Sequence, residues 1–333
     1  MESVTKYHLE TMNIELTTKC VLRCPQCYCS LSGGKDIPLD RATYWLDQAA
    51  ELGVKEVMLS GGETLCYPWI YDIVKIASDR CGSVNVALSG AKFDQDAFDK
   101  LVEAGVTGIF VSLNGSTKEI NAASRDGYEL AINALELLYN NKYKNTTINW
   151  VMHSTNADDF ENIIRIAEKY EVSSVAIIGL KPDSKHMLSS YPTRDQMLQL
   201  KKTMRAYNGP VCLQIESCFS PMLALFNDTK LFGNFNVSEY KGCCAGRTTF
   251  SVSVDGRLSP CRHLDYYESY TSLKEYMEKS EIQQKIRGMQ EERASPCNQC
   301  RFEKYCRPCL AINSKLNGCL GFGFEQCPIS ETK

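Results

Sequence analysis

The sequence lacks the features of secreted, membrane-spanning and nucleic-acid-binding proteins. Residues 1–13 are polar and contain no apolar segment of a signal peptide. No stretch approaches the roughly 18 consecutive apolar residues that a membrane span needs. The formal net charge is only -3, which gives no excess of positive charge to attract nucleic acid or an anionic membrane. These absences predict a cytoplasmic protein.

Cysteine, in contrast, is abundant, with 17 in 333 residues. An odd number of cysteines without a secretion signal is better explained by metal binding than by disulfides, because the cytosol keeps thiols reduced. The hydrophobic content of 44% is ordinary for a soluble globular protein. The composition therefore predicts an oxygen-sensitive, metal-rich protein with one large domain and a smaller one.

Apolar periodicity predicts six consecutive β/α units up to about residue 180. Two of the predicted helices end at glycines, Gly53 and Gly105, and one begins at a capping residue, Asp94. The predicted strands are Met12 to Leu16, Val57 to Leu59, Val84 to Leu88, Ile109 to Leu113, Ile148 to Met152 and Val175 to Ile178. This alternation is typical of a parallel α/β barrel or part of one, where the active site collects at the carboxyl ends of the strands.

The segment after the first predicted strand contains Cys20, Cys24 and Cys27 at C-x3-C-x2-C spacing. Three thiolates can bind one iron–sulfur cubane and leave one iron without a protein ligand. A zinc site completed by Cys29, or buried structural thiols, also fits the spacing. The pattern resembles the signature of radical S-adenosylmethionine (SAM) enzymes. That resemblance implies that the open iron binds SAM, which is then cleaved to a 5′-deoxyadenosyl radical.

Residues at later strand ends resemble the SAM-binding motifs of this family. Gly61-Gly62-Glu63 matches the glycine-glycine-glutamate motif, although a simple βα turn explains the same residues. Asn114 stands where the family often has Asp, and Gln26 stands where it usually has an aromatic or aliphatic residue. Arg125 matches a later Arg of the family, although a solvent-facing side chain is the alternative to a SAM contact. The resemblance assigns SAM contacts to Gln26, Gly61, Gly62, Glu63, Thr64, Ser89, Ser112, Asn114, Arg125 and Leu180.

A second group of cysteines follows residue 242, after a predicted helix from Asp195 to Tyr207 and a predicted strand from Val211 to Ile215. A hairpin from Phe250 to Leu258, turning at Asp255-Gly256, lies within this group. Seven cysteines of this group are Cys243, Cys261, Cys297, Cys300, Cys306, Cys309 and Cys327. Their spacing resembles that of the SPASM domain, which carries two auxiliary 4Fe–4S clusters; a zinc ribbon is the alternative.

The SPASM resemblance assigns ligands to both auxiliary clusters. The outer cluster would be held by Cys297, Cys300, Cys306 and Cys327, and the inner cluster by Cys243, Cys261 and Cys309. The fourth inner ligand would be Cys244, Cys218 or Cys319, or the inner cluster would be open to substrate. With the SAM cluster, this makes three 4Fe–4S clusters.

The predicted fold class is therefore α/β, a partial (β/α)6 TIM-type barrel followed by a small cysteine-rich SPASM domain. The expected boundaries are 1–205 for the barrel, 206–242 for a bridging region and 243–333 for the SPASM domain.

The resemblance implies a radical SAM oxidoreductase that modifies a ribosomally made precursor peptide through a carbon–carbon or thioether cross-link. Rival functions are a peptide epimerase with Cys218 or Cys244 as thiol donor, a sulfatase-maturing (formylglycine-forming) enzyme with Asp183 or Glu216 as base, and an enzyme of small-molecule cofactor biosynthesis. A metal-binding or electron-transfer scaffold is the non-enzymatic alternative.

The implied partners are the precursor peptide and an electron donor of the flavodoxin or ferredoxin type. The first strand begins close to Met1, which leaves no room for a fused N-terminal peptide-binding domain, so either a separate peptide-recognition protein or a groove of the barrel is expected to bind the leader. Neither a nucleic acid nor a membrane is expected as a partner.

Overall fold

The computed structural model describes residues 8–29, 34–182, 185–226, 235–237, 242–289, 293, 295–318, 320–321 and 327–330. The strands are β1 (Thr11–Thr17), β2 (Glu56–Gly61), β3 (Ser83–Leu88), β4 (Gly108–Ser112), β5 (Thr146–Met152), β6 (Ser174–Gly179), β7 (Cys212–Ile215), β8 (Phe235–Val237), β9 (Thr249–Val252) and β10 (Leu258–Ser259). The helices are α1 (Leu39–Glu51), α2 (Ile70–Cys81), α3 (Gln95–Glu103), α4 (Lys118–Ala122), α5 (Tyr128–Asn140), α6 (Phe160–Lys169), α7 (Arg194–Ala206), α8 (Ser220–Phe226), α9 (Leu273–Lys279), α10 (Glu281–Gly288) and α11 (Leu310–Asn317).

The chain divides into two compact units. Unit 1 comprises Met1–Leu22, Tyr28–Phe110 and Ala245–Gly288, and unit 2 comprises Arg23–Cys27, Val111–Cys244 and Met289–Lys333. Within the part of the chain that the structure describes, no helix is long and apolar enough to cross a membrane.

Unit 1 is built around β1. This strand pairs in parallel with β2 on one side and with β9 on the other, and β10 returns antiparallel to β9. Met12, Ile14 and Leu16 are fully buried and alternate with half-buried residues, because successive side chains of a strand point to opposite faces. The buried face of the unit 1 sheet is covered by helices such as α1, which contributes Trp45 and Leu46 to the core.

Unit 2 is also built from parallel strands that are covered by helices. β5, β6, β7 and β8 pair in parallel in that order. Helix α6 buries the apolar stripe that starts at Phe160, whose ring lies 4.7 Å from that of Trp150 on β5. Parallel neighbours need a crossover connection, and the helices between these strands provide it.

The prediction of a mixed α/β fold built on parallel strands is confirmed. Each of the six predicted strands exists, and the predicted cap at Asp94 accepts a hydrogen bond from the Ala97 N–H at the start of α3. The compact units nevertheless divide the chain differently from the predicted domains. β7 and β8 extend the parallel pairing into the region predicted to be a bridge. β9 pairs with β1, so the hairpin of β9 and β10 belongs to unit 1.

Candidate functional site

The three cysteines of the first motif lie on the segment that leaves β1. Each of these cysteines is half-buried, and none forms a disulfide. In unit 1, the Leu22 N–H points at Cys20 Sγ across 3.4 Å. In unit 2, the Cys27 N–H donates to the Cys24 carbonyl at 3.1 Å. These bonds fold the segment into short backbone turns.

Residues 23–27 are held in place by the segment that follows α4. The Gln26 N–H donates to the Ser124 carbonyl at 3.1 Å, and the Arg23 N–H donates to Asp126 Oδ2 at 3.4 Å. These bonds join residues about 100 positions apart, so they fix the two later cysteines of the motif relative to the end of β4 within unit 2.

The glycines of the Gly61-Gly62-Glu63 motif allow two loops of unit 1 to touch through their backbones. The Gly62 N–H donates to the Thr17 carbonyl at 2.6 Å, and the Glu63 N–H donates to the Lys19 carbonyl at 2.8 Å. A side chain on Gly62 would overlap the Lys19 carbonyl. Glycine is required here because it alone permits this approach. The Gly61 carbonyl in turn accepts a hydrogen bond from Cys29 Sγ at 3.1 Å.

The side chains at this end of unit 1 bind one another. Glu63 is 1% exposed, and its carboxylate accepts hydrogen bonds from the Ser89 N–H at 3.0 Å, from the Ser89 hydroxyl and from the Leu65 N–H. The Thr64 hydroxyl donates to the Ala87 carbonyl. Three of the residues predicted to contact SAM thus lie together and connect the end of β2 to the end of β3.

In unit 2, Asn114 is the centre of a second network. Its N–H donates to Asn121 Oδ1 at 2.8 Å, its Nδ2 donates to Ser124 Oγ at 2.9 Å, and its Oδ1 accepts from the Val151 N–H at 3.0 Å. Its carbonyl also accepts from Asn156 Nδ2 at 2.8 Å. The amide uses both a donor and an acceptor, which a carboxylate in this position could not do.

Arg125 lies beside Ser112, and both residues were predicted to contact SAM. Its Nε donates to the Ser112 carbonyl at 3.1 Å, and the side chain is half-buried rather than facing solvent. Leu180 is buried directly after β6. These residues all lie at or beyond the carboxyl ends of unit 2 strands.

His153 and Gln26 form a pair that the sequence does not reveal, because 127 positions separate them. His153 is buried, its N–H donates to Asn156 Oδ1 at 2.7 Å, and its Nε2 is hydrogen-bonded to Gln26 Oε1. Burial lowers the pKa of His153 from 6.5 to about 4. The ring is therefore neutral at pH 7 and donates through Nε2.

The four cysteines predicted for the outer cluster line one cavity of unit 2. About 530 Å³ of space lies between the lining atoms, including the open mouth. Burial and the neighbouring thiols raise the pKa of Cys306 and of Cys327 to about 12. Neutral thiols in a cavity fit a metal group, since coordination removes the proton. Within the described ranges, no three His, Cys, Asp or Glu side chains are placed to hold a single metal ion.

The residues predicted for the inner cluster fall in both units. Cys243 and Cys309 are buried in unit 2, and Cys261 is half-buried in unit 1. Cys243 pairs with the outer cysteine segment, because its N–H donates to the Arg307 carbonyl and Arg307 Nη1 donates to the Cys243 carbonyl, each at 3.1 Å. Cys244 Sγ lies 3.5 Å from the Gly242 carbonyl. Cys319 lies outside the described residues.

Of the candidate catalytic residues, Cys218 and Glu216 lie just after β7. Lys181 Nζ is 3.2 Å from Cys218 Sγ, and the Glu216 N–H donates to the Ile177 carbonyl at 3.0 Å. The Lys181–Cys218 pair was not predicted, and no spacing in the sequence indicates it. Asp183 lies outside the described residues.

Replacement of Gly62 by Ala should destabilise the protein by about 1–3 kcal/mol or more, because the new Cβ overlaps the Lys19 carbonyl. Thermal unfolding followed by circular dichroism measures this loss. Gly288→Ala is the matched control, since nothing lies within 4 Å of a Cβ at Gly288. Equal melting temperatures for the two variants would contradict the close approach.

His153 should make stability fall with acid. The folded pKa of about 4 lies below the unfolded value of 6.5, so the unfolded chain binds the proton first as the pH falls. The free energy of unfolding therefore falls by up to about 3 kcal/mol as the pH is lowered from about 6.5 to about 4. Comparison of unfolding free energies at pH 7 and pH 4.5 should show a smaller decline in His153→Gln than in the wild type. The exposed His8→Gln should decline like the wild type.

Comparison with known proteins adds independent information. Residues 14–167 match the model of the Radical SAM superfamily. An AdoMet-dependent heme synthase of Methanosarcina barkeri is 24% identical, over 89% of this chain and 90% of that protein. A PqqA peptide cyclase of Ruegeria pomeroyi is 27% identical, over 92% of this chain and 81% of that protein.

The crystal structure of Streptococcus suis SuiB bound to precursor peptide SuiA is similar in fold, with a TM-score of 0.75 and 17% identity, covering 96% of this chain and 76% of that chain. This likeness and the sequence match agree with the α/β fold described above. Residues 14–167, slightly less than half of the chain, are thus similar to the Radical SAM superfamily.

Proposed function

We propose that this protein is a radical SAM peptide maturase that forms a carbon–carbon or thioether cross-link between side chains of a ribosomally made precursor peptide. The observation that carries the proposal is the convergence of Cys297, Cys300, Cys306 and Cys327 on one cavity of unit 2. An additional cluster there suits a net oxidation. The sequence likeness to a peptide cyclase and the fold likeness to SuiB, which was crystallised with a precursor peptide, support a peptide substrate.

The match of residues 14–167 to the Radical SAM superfamily supports SAM binding and one 4Fe–4S cluster. We assign that cluster to Cys20, Cys24 and Cys27. When bound, the cluster and SAM supply the 5′-deoxyadenosyl radical. The chain's own residues position SAM, and the proposed contacts are Gln26, Gly61, Gly62, Glu63, Thr64, Ser89, Ser112, Asn114, Arg125 and Leu180.

The observed contacts indicate different roles for these residues, some in positioning the strand ends and one in binding the SAM carboxylate. Glu63 and Asn114 are engaged in internal hydrogen bonds, so they hold the strand ends in position. Arg125 uses Nε on the Ser112 carbonyl, and a guanidinium has five N–H donors. We therefore assign the SAM carboxylate to Arg125, whose planar group suits a carboxylate.

The auxiliary clusters are assigned to the outer and inner cysteine sets. Cross-linking two side chains removes two hydrogen atoms: one goes to the 5′-deoxyadenosyl radical, and the other leaves as a proton and an electron. An auxiliary site supplies an acceptor for that electron. The inner set comprises Cys243, Cys261 and Cys309, with Cys244, Cys218 or Cys319 as fourth ligand or an open position for a substrate thiolate.

The assignment includes partners and domain limits that the sequence predicted. We retain a flavodoxin or ferredoxin as electron donor, a separate peptide-recognition protein and a cytoplasmic location. The SPASM assignment for residues 243–333 is likewise a proposal.

Cofactor biosynthesis on a small molecule is the second candidate, because the heme synthase relative matches this chain over most of its length. The test is anaerobic reconstitution, iron and sulfide counting, and mass spectrometry of SAM turnover with candidate precursor peptides or with porphyrins. About twelve irons, 5′-deoxyadenosine release and a peptide that loses two hydrogens would support the maturase. Turnover of a porphyrin alone would replace it with the second candidate.

Substitution of Cys24 by Ala should abolish SAM cleavage and leave about eight irons per chain, because only the first cluster loses a ligand. Iron analysis and 5′-deoxyadenosine release measure the two effects. Cys81→Ala is the matched control, since this buried cysteine at the end of α2 belongs to none of the assigned sets. SAM cleavage by the Cys24 variant would refute the assignment of the first motif.

Substitution of Cys300 by Ala should remove about four irons, retain SAM cleavage and prevent the cross-link, because the outer cluster loses a ligand while the SAM site is intact. The same iron and product measurements apply. A full iron content in this variant would show that the cavity does not hold a cluster.

A further inference from the structure

Ser220 occupies an unusual position for a hydroxyl group. It begins α8, all of whose residues are buried, and it is itself only 1% exposed. Its side chain lines the cavity of the outer cysteines and hydrogen-bonds to the Cys306 thiol. Because a buried hydroxyl is costly unless it is hydrogen-bonded, this contact accounts for a serine in an otherwise apolar environment.

Arg293 brings a positive charge to the same cysteine. Its Nη1 donates to the Glu303 carbonyl at 2.6 Å and to the Cys306 carbonyl at 2.7 Å. These two bonds hold the guanidinium at the cavity wall beside Cys306.

The chain at Cys327, a second cysteine of the cavity, is fixed through its backbone. The Ser330 N–H donates to the Cys327 carbonyl at 3.1 Å. The group beside Cys306 is therefore a side chain, whereas the contact at Cys327 belongs to the backbone.

Hydrogen bonds to ligand sulfurs and nearby positive charge set the potential of an iron–sulfur cluster. One-electron reduction adds one negative charge to the cluster, and donors aimed at its sulfurs stabilise that charge. We propose that Ser220 is a positioning residue whose hydroxyl, together with Arg293, raises the reduction potential of the outer cluster and so makes it an electron acceptor. This inference rests on the proposed outer cluster and adds the residues that tune it.

The test is a redox titration of the anaerobic, iron-loaded full-length protein with dithionite, followed by electron paramagnetic resonance. The signal of the outer cluster is the one that Cys300→Ala lacks. In Ser220→Ala this signal should be retained with a midpoint potential shifted to a more negative value. Ser220→Thr keeps a hydroxyl and should retain the wild-type potential.

Ser330→Ala is the matched control, because it lines the same cavity but its backbone N–H is unchanged. Its midpoint potential should equal that of the wild type. Arg293→Gln should shift the potential in the same direction as Ser220→Ala, and Arg293→Lys should shift it less.

An unchanged potential in Ser220→Ala, with the signal present, overturns the inference and leaves the cluster assignment intact. Loss of the outer iron in Ser220→Ala overturns it as well, since Ser220 would then be needed for assembly rather than for tuning. If Cys300→Ala keeps every signal and all its iron, the cluster assignment itself fails.

Discussion

The packing of five thiols around one cavity, those of Cys297, Cys300, Cys306, Cys309 and Cys327, is the constraint on which the C-terminal part of unit 2 depends. Burial raises the pKa of Cys306 and Cys327 to about 12, so without metal these thiols stay protonated at neutral pH. The surrounding segment consists of 3-10 turns and the eight-residue α11, whose Leu310, Ile312 and Leu316 side chains are buried. A metal group bound in this cavity would add to the folding free energy of the segment, because a site formed only in the folded state couples binding to folding.

In unit 1 the corresponding constraint is a backbone contact. β1 pairs with β2 and β9, and the segments that leave β1 and β2 touch at Gly62. Because no side chain fits there, the loop with the first cysteine and the loop with Glu63 are held at one spacing. A site that holds a reactive radical benefits from such rigid placement, since small displacements of reacting atoms cost large factors in rate.

Polar residues at the strand ends serve mainly to hold one another. Glu63 connects to Ser89, and Asn114 connects the ends of β4 and β5 through Ser124 and Val151. Each of these buried groups is satisfied by protein partners, so the networks are stable without a ligand. Supporting side chains also lie around the outer cysteines, where Ser220 and Arg293 line the same cavity. Support of this kind controls the properties of a metal site.

Local patterns in the sequence were sufficient to determine much of this protein. Alternating strands and helices, the Asp94 cap, the cysteine spacings and the glycine pair depend on neighbouring residues, and each predicted strand is present within a few residues. Other features were decided only by the tertiary structure. β9 pairs with β1 across more than 200 residues, Gln26 meets His153, and Ser220 meets Cys306. The physical reason is that such contacts join segments that are far apart in the chain, where neither periodicity nor spacing carries a signal, and only the packing of strands and loops brings them together.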